Sequence, residues 1–497
     1  MGGGQNSAGF DVKHLDRFFI GGAWTVPSSD ARIDVTTPAT EELFFSVAEA
    51  READVNQAVA AARQAFDNGP WPRISHAERA HYLNAIADGI AERAGTIGRI
   101  WTNEMGVIPA FAEPLVMGAS ATFRYYAKLA DSFPFVERHT PAAGGTVGLL
   151  VREPVGVVAA IIPWNGPIAL AAIKLAPALL AGCTVVLKMS PEAPVEAYVL
   201  AEIIESTGLP PGVVNVIMAD REVSELLVRH PDVDKVSFTG STAAGRRIAA
   251  ICGERIARYT LELGGKSAAV VLDDYDVGKV AESISASVAV MTGQVCAALS
   301  RVIVSRDRHD ELVDALGAAM GAIRVGDPFD QATQMGPLAM RRQLDRVQDY
   351  IAKGKAEGAK LVTGGGRPSG LNRGYYIEPT VFANVDNQSS IAREEIFGPV
   401  VSVIAADNEA HAIELANDSI FGLNSAVFTN NPDRAFEVAR RLRAGTVGHN
   451  GFRADFGIAF GGFKQSGVGR EGGVEGLLPY LETKTVILDA EPSDAIA

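Results

Sequence analysis

A chain of 497 residues, 47% hydrophobic and 21% charged, is too long for one ordinary core and has the balance of a globular rather than a disordered protein, so roughly two to four domains are expected. Its formal charge of −14, with no dense Lys/Arg patch, would repel a phosphate backbone and excludes nucleic acid as an expected partner. The scattered cysteines Cys183, Cys252 and Cys296 show no metal-type spacing; they fit free thiols in a reducing compartment, and no bound metal is expected.

Met1-Gly2-Gly3-Gly4-Gln5-Asn6 carries neither the apolar core of a signal peptide nor the Ser/Thr of a myristoylation signal, so a cytoplasmic location is expected. Ala50–Asn68 and Ser75–Asn103 read as surface helices, and Gly145–Arg152 as a strand with no helix behind it. Residues 154–173 are uncharged, but Pro154, Pro163, Asn165 and Pro167 interrupt them. A buried strand followed by a buried helix is expected there, not a membrane span.

From Gly156 to Gly264 short apolar runs alternate with helix-length segments. Strands are predicted at Val157–Ile162, Thr184–Lys188, Val213–Met218, Lys235–Thr239 and Thr260–Leu263, and helices at Pro167–Ala181, Pro194–Thr207, Arg221–Arg229 and Thr242–Arg258. This rhythm predicts a parallel sheet covered on both faces, able to hold a dinucleotide at the carboxyl ends of its strands. The alternation restarts after Lys266, with strands at Ala268–Leu272, Val302–Ser305, Ala359–Thr363, Val400–Ala405, Ala426–Thr429 and Thr446–Asn450. That second α/β unit contains Cys296.

Gly240-Ser241-Thr242-Ala243-Ala244-Gly245 follows a predicted strand and opens a helix. An N-cap at Ser241 or Thr242, free N–H groups and the positive end of the helix dipole suit a pyrophosphate, although a plain strand-to-helix turn reads similarly. Arg246-Arg247 stands where a triphosphate-binding loop needs Lys-Ser/Thr, which excludes that class. The literal G-x-G-x-x-G at Gly467–Gly472 follows no predicted strand and reads as a turn region rather than a dinucleotide fingerprint.

Lys188 ends an apolar strand and must emerge at the ligand-binding edge, or else as a solvated strand end. Glu262 points away from its neighbours Leu261 and Leu263, and the glycine pair Gly264-Gly265 marks a close backbone approach. Asn165 offers a neutral amide, able to hold an oxyanion or to cap the helix before Pro167. Cys296 is a soft nucleophile that needs help to ionise, whereas Cys183 and Cys252 lie among small apolar residues and read as packing thiols.

Further runs join these: Pro163-Trp164-Asn165, Phe238-Thr239-Gly240-Ser241-Thr242, Leu261-Glu262-Leu263-Gly264-Gly265-Lys266 and Gly293-Gln294-Val295-Cys296. Glu394-Glu395-Ile396-Phe397-Gly398-Pro399-Val400 and Phe460-Gly461-Gly462-Phe463-Lys464-Gln465-Ser466-Gly467 follow. In this order and at these distances the set resembles the nicotinamide-dependent aldehyde dehydrogenase superfamily, from about Phe19 to Thr485.

The resemblance implies an α/β fold of two Rossmann-like parallel-sheet domains, one cofactor-binding and one catalytic, plus a small β oligomerisation arm. Residues 1–133 and 154–264 would bind the dinucleotide, 265–465 carry the nucleophile, 134–153 and 481–497 form the arm, and 466–480 return to the first domain. It implies Cys296 as nucleophile, Glu262 as general base and Asn165 as oxyanion donor. Ile162, Pro163, Trp164, Lys188, Gly240, Ser241, Gly245, Leu263, Glu395 and Phe397 would surround NAD, or NADP. In that family the lysine matching Lys188 holds the adenosine ribose, while Glu395 and Phe397 match residues at the nicotinamide ribose and ring. A homodimer or homotetramer releasing a free acid is implied. The alternatives are an acylating relative, a semialdehyde dehydrogenase, and a structural protein of the same fold such as the crystallins that resemble this family.

Three positions depart from the family pattern. The residue three after Lys188, often a glutamate that excludes a 2′-phosphate, is Pro191, with Glu192 next. The loop after Ile217 reads Met218-Ala219-Asp220-Arg221 rather than glycine-rich, and Ala459 replaces a proline. NAD is expected from the charges of Glu192 and Asp220, although Arg221 could pair with a phosphate. Gly166 stands where relatives often carry an aromatic residue, and Ile173 where tryptophan is frequent and succinate-semialdehyde enzymes tend to place an arginine. With Val290, Val295, Ala297, Phe452, Phe456 and Phe460 they suggest apolar walls, hence a medium-chain, branched or aromatic aldehyde. The same side chains could simply pack the core.

Overall fold

The computed structural model describes residues 9–492, so Met1–Asn6 and residues 493–497 of the expected arm lie outside the described residues. Two short strands, β1 (Phe18–Ile20) and β2 (Ala23–Thr25), and a hairpin of β3 (Arg32–Thr36) and β4 (Leu43–Ala48) come first. Four helices follow: α1 (Glu52–Asp67), α2 (His76–Glu92), α3 (Ala94–Met105) and α4 (Pro109–Leu129). After β5 (Val136–His139) and β6 (Val147–Pro154), the first alternating run comprises β7 (Val157–Ile161), α5 (Pro167–Ala181), β8 (Thr184–Met189), α6 (Val195–Ser206), β9 (Val214–Met218), α7 (Arg221–Arg229), β10 (Lys235–Thr239), α8 (Thr242–Arg255) and β11 (Arg258–Glu262). The second contains β12 (Ser267–Val271), α9 (Val277–Ala289), β13 (Leu299–Ser305), α10 (His309–Gly321), α11 (Arg341–Ala356), β14 (Lys360–Thr363), β15 (Thr380–Ala383), β16 (Val400–Ala406), β17 (Asn424–Phe428) and β18 (Thr446–His449). Then come β19 (Gly467–Val468) and β20 (Leu481–Leu488).

The first sheet runs β19-β11-β10-β7-β8-β9-β1-β2. Its inner strands β11, β10, β7, β8 and β9 pair in parallel. Strands β7 to β10 are buried along their whole length, which is stable only with helices on both faces. The edges depart from an all-parallel expectation: β1 joins β9, and β19 joins β11, both antiparallel. Strands of two or three residues carry too little periodicity to be read from sequence. The second sheet runs β14-β15-β16-β13-β12-β17-β18 and is parallel except at β14. This mixed α/β architecture of two mainly parallel, Rossmann-like sheets is the expected fold class. A small third sheet, β20-β6-β5, is wholly antiparallel.

Helix α5 starts at Pro167, stops at Gly182 with φ 97°, and is buried almost all round between the sheet and helices α2 and α4. The predicted helix Ser75–Asn103 divides at Arg93 (φ −102°, ψ 10°), whose guanidinium holds Glu202 and the Asp11 carbonyl. Its two halves are not merely superficial, since Leu83, Ile86, Ile90, Ile97 and Trp101 are core residues. Nothing in the pattern predicts α4, because Pro114 and Gly118 inside it read as breakers; the buried row Val116, Ala119, Phe123 and Tyr126 holds it in place. Helix α8 ends at Arg255, short of the expected Arg258, because Ile256 turns left-handed at φ 55°. No described helix is long and apolar enough to cross a membrane.

Candidate active site

The chain leaves β11 at Glu262 and crosses to the second sheet through Leu263-Gly264-Gly265-Lys266, passing directly behind Cys296. A Cβ on Gly265 would overlap the Cys296 carbonyl oxygen, and one on Gly264 would overlap the Glu395 carboxylate. The loop before Cys296 is bent by left-handed Met291 (φ 52°), Thr292 (φ 54°) and Gly293 (φ 69°). Thr292 Oγ1 anchors it on the Gly336 and Pro337 carbonyls at 3.0 and 3.2 Å. Gln294 accepts from the Ala339 N–H at 3.0 Å. Asn165, between β7 and α5, donates through Nδ2 to the Gln294 carbonyl at 3.1 Å, which puts a neutral amide beside the cysteine loop.

Carboxyl groups crowd this centre. Glu262 is 2% exposed and neither of its oxygens has a partner among the described residues. Burial, then the charge of Glu471, raises it well above the usual carboxylate range, while Lys174 and Arg470 oppose the shift. Cys296 is half-buried. Desolvation of its thiol, then the Glu395 and Glu262 carboxylates, push it up to about 12. Glu395 accepts from the Gly265 N–H at 3.1 Å and is raised by burial to about 7.

Two residues of this centre escape the sequence motifs. Lys174 of α5 and Glu471 are both buried and form an ion pair. Lys174 is the single charge in the helix Pro167–Ala181, and that was the legible signal. Glu471 falls within Gly467–Gly472, where the expected turn region is instead the edge strand β19 followed by an antiparallel bridge, Glu471 exchanging two backbone hydrogen bonds with Phe460 at 2.6 and 2.7 Å. The expected close approach holds, since a Cβ on Gly467 or Gly472 would overlap the Leu261 or Phe456 carbonyl oxygen.

On the first sheet's carboxyl edge lie Ile162, Pro163, Trp164, Lys188, Gly240 and Ser241. Ser241 caps α8 by accepting from the Ala244 N–H at 3.3 Å, and the Gly240 N–H donates to the Glu262 carbonyl at 2.9 Å. Gly245 lies against Leu263, whose terminal methyls would have to shift to admit a Cβ. Lys188 is buried with Nζ 3.4 Å from the Ala219 carbonyl; desolvation lowers it to about 8, against Glu192 and Asp220. Glu192 pairs with Arg342 of α11 and with the Ser190 hydroxyl. Trp164 meets Phe397 edge-on, ring centroids 5.3 Å apart. An amide-lined helix start, a buried ammonium and facing aromatic rings fit a dinucleotide laid along this edge.

Around Cys296, Val295, Ala297, Leu423, Phe452, Phe456 and Phe460 form one apolar cluster. The Phe456 and Phe460 rings pack at a tilt of 36°, with centroids 4.6 Å apart. Ile173 and Val290 do not join that cluster: Ile173 is buried within α5 and Val290 sits half-buried at the end of α9. Gly166 is buried at the N-cap of α5.

Fold and site together define an α/β oxidoreductase. The profile described as the aldehyde dehydrogenase family matches residues 24–486. The chain is 45% identical over 479 residues to geranial dehydrogenase from Castellaniella defragrans, covering 96% of this chain and 99% of that protein. A Mycobacterium tuberculosis aldehyde dehydrogenase complexed with NAD+ superposes with TM-score 0.93 at 44% identity, covering 97% of this chain and 99% of the other. A mutant of aldehyde dehydrogenase C from Pseudomonas syringae, complexed with NAD+ and octanal, gives TM-score 0.93 at 39% identity over 98% and 99% of the two chains. The chain belongs to the aldehyde dehydrogenase family, whose members oxidise aldehydes.

Proposed function

We propose that this enzyme oxidises an apolar aldehyde, medium-chain, branched or aromatic, to the free carboxylic acid. The observation that carries this is the apolar cluster of Val295, Ala297, Leu423, Phe452, Phe456 and Phe460 packed around Cys296. A carboxylate-bearing substrate would lose its solvation against those walls.

As the thiolate, its proton lost to solvent water, Cys296 attacks the carbonyl carbon, and the Asn165 amide, with the Cys296 backbone N–H, holds the resulting oxyanion of the thiohemiacetal. NAD, when bound, supplies the hydride acceptor. Lys188, Ser241 and the first turn of α8 would hold its adenosine and pyrophosphate end; Glu395, Phe397 and Trp164 would hold the other. Collapse of the thiohemiacetal leaves a thioester on Cys296. Glu262 then takes a proton from water, which hydrolyses it. Lys174 and Glu471 fix the charge that Glu262 faces. A base is needed for hydrolysis and not for thiol-driven acyl transfer, so Glu262 favours acid over a thioester product. We assign residues 1–133 and 154–264 to the cofactor, 265–465 to catalysis, and 134–153 with 481–497 to an arm that pairs copies of the chain into a homodimer or homotetramer in the cytoplasm.

Each methylene buried in a dry channel contributes about 0.8 kcal/mol, so octanal should exceed acetaldehyde in kcat/KM by tenfold or more. Comparing succinate semialdehyde, acetaldehyde, octanal and benzaldehyde under one set of conditions checks this. Highest efficiency with the semialdehyde would overturn the apolar-substrate reading.

NAD is the proposed cofactor, because Glu192 is held by Arg342 and Ser190 close enough to Lys188 to act on its charge. That carboxylate would repel a 2′-phosphate even though Pro191 carries none. The expected result is a higher kcat/KM with NAD than with NADP. The reverse order would show that Arg342, Arg221 and Lys188 outweigh Glu192 and Asp220.

A further inference from the structure

Glu104 on α3 and Glu196 on α6 are 1% and 0% exposed and take no part in the chemistry above. Glu104 Oε1 accepts from the Val195 N–H, the first residue of α6, at 2.9 Å. Glu196 Oε2 accepts from the Ile168 N–H, in the first turn of α5, also at 2.9 Å. The remaining oxygens, Glu104 Oε2 and Glu196 Oε1, are buried without a partner.

Among the described residues no cation forms an ion pair with either group. On the elements packed around them, Arg79 of α2 is spent on backbone carbonyls, Arg93 on Glu202, Arg124 of α4 on Asp88, and Lys174 of α5 on Glu471. Burial, then the charge of Glu196, raises Glu104 well above the carboxylate range, and burial raises Glu196 to about 8.

We propose that Glu104 and Glu196 share a proton through their unpartnered oxygens and serve as positioning residues, clamping the first turns of α5 and α6. The O–H of one carboxyl donates to the other, which satisfies both orphaned oxygens, and each outer oxygen keeps its backbone N–H. Helix α5 is where a shift would reach the chemistry. Asn165 stands three residues before Ile168, and the same helix carries Lys174, whose partner Glu471 faces Glu262. Only the kinetic consequence rests on the dehydrogenase reading; the shared proton does not.

The folded chain then holds more protons than the unfolded one between the usual carboxylate range and about pH 8. The stability contributed by the pair is full at acid pH and is lost as pH rises toward about 8. A glutamine donates permanently and needs no proton. Melting temperatures of the wild type, E104Q, E196Q and the double glutamine variant should be compared from about pH 5 to about pH 9. The wild type should fall most over that range and the double variant least, by several degrees, with E196Q retaining at least half the wild-type kcat.

E196A, which removes the grip on Ile168, should lower the burst rate of reduced nicotinamide about tenfold while the dissociation constant of NAD stays within about threefold. Parallel melting curves for all four proteins, or an undiminished burst in E196A, would overturn the proposal. Should E196A fail to fold, the glutamine variants decide. A wild type inactive on every aldehyde would instead sink the dehydrogenase reading and leave the melting curves to judge the proton.

Discussion

Cys296→Ser is expected to abolish dehydrogenase turnover, by about a thousandfold or more, while leaving the dissociation constant of NAD near that of the wild type. A hydroxyl is a far weaker nucleophile than a thiolate, and the carboxyl groups around this position offer it little help. Their charges, after desolvation, already hold the Cys296 thiol up at about 12. The same environment fixes a sign. With the pKa raised, the thiol is protonated at neutral pH and its reactive fraction grows about tenfold per pH unit. Alkylation of Cys296 by iodoacetamide in the apoenzyme should therefore be slow at pH 7 and accelerate steadily through pH 9. Near-normal turnover of a verified Cys296→Ser protein, or alkylation already at its plateau at neutral pH, would contradict this assignment.

The alternation of strands and helices was legible because strands buried on both faces are continuous apolar runs with clear punctuation. Helix α5 is found between the expected Pro167 and Ala181, since a proline can open a helix and Gly182 can end one at positive φ. Strand β10 likewise occupies the expected Lys235–Thr239. What escaped was decided in three dimensions. The partners Lys174 and Glu471 are 297 positions apart, so no local pattern joins them. Ile173 and Lys174 are neighbours on a helix whose residues fan out about 100° apart, so Lys174 reaches Glu471 while Ile173 stays outside the apolar cluster at Cys296. Helix α4 carries breakers that long-range packing overrides, and the antiparallel edge strands are too short to show a period. Around Cys296, Val295 and Phe460 lie in the motifs, and Ala297, Phe452 and Phe456 were expected only as apolar walls near them, but Leu423 was not expected, lying in an unremarked strand approach.

Glu262→Gln is expected to preserve a rapid burst of reduced cofactor and to slow steady-state turnover by about a hundredfold or more, because an amide cannot take the proton from the hydrolytic water. Loss of burst and steady state in equal measure would mean instead that Glu262 serves mainly to activate the thiol. The wild-type rate should rise with pH as Glu262 ionises, along a limb displaced upward from the usual carboxylate range by burial and by the charge of Glu471. Glu471→Gln tests that cause. It removes the like charge and releases Lys174 from its ion pair, and both changes favour the ionised form of Glu262. The acid limb of steady-state turnover should move to lower pH by about one unit, while Kd for NAD stays unchanged. A limb that does not move, or moves upward, would show that desolvation alone sets the basicity of Glu262 and that the buried Lys174–Glu471 pair serves packing rather than the reaction.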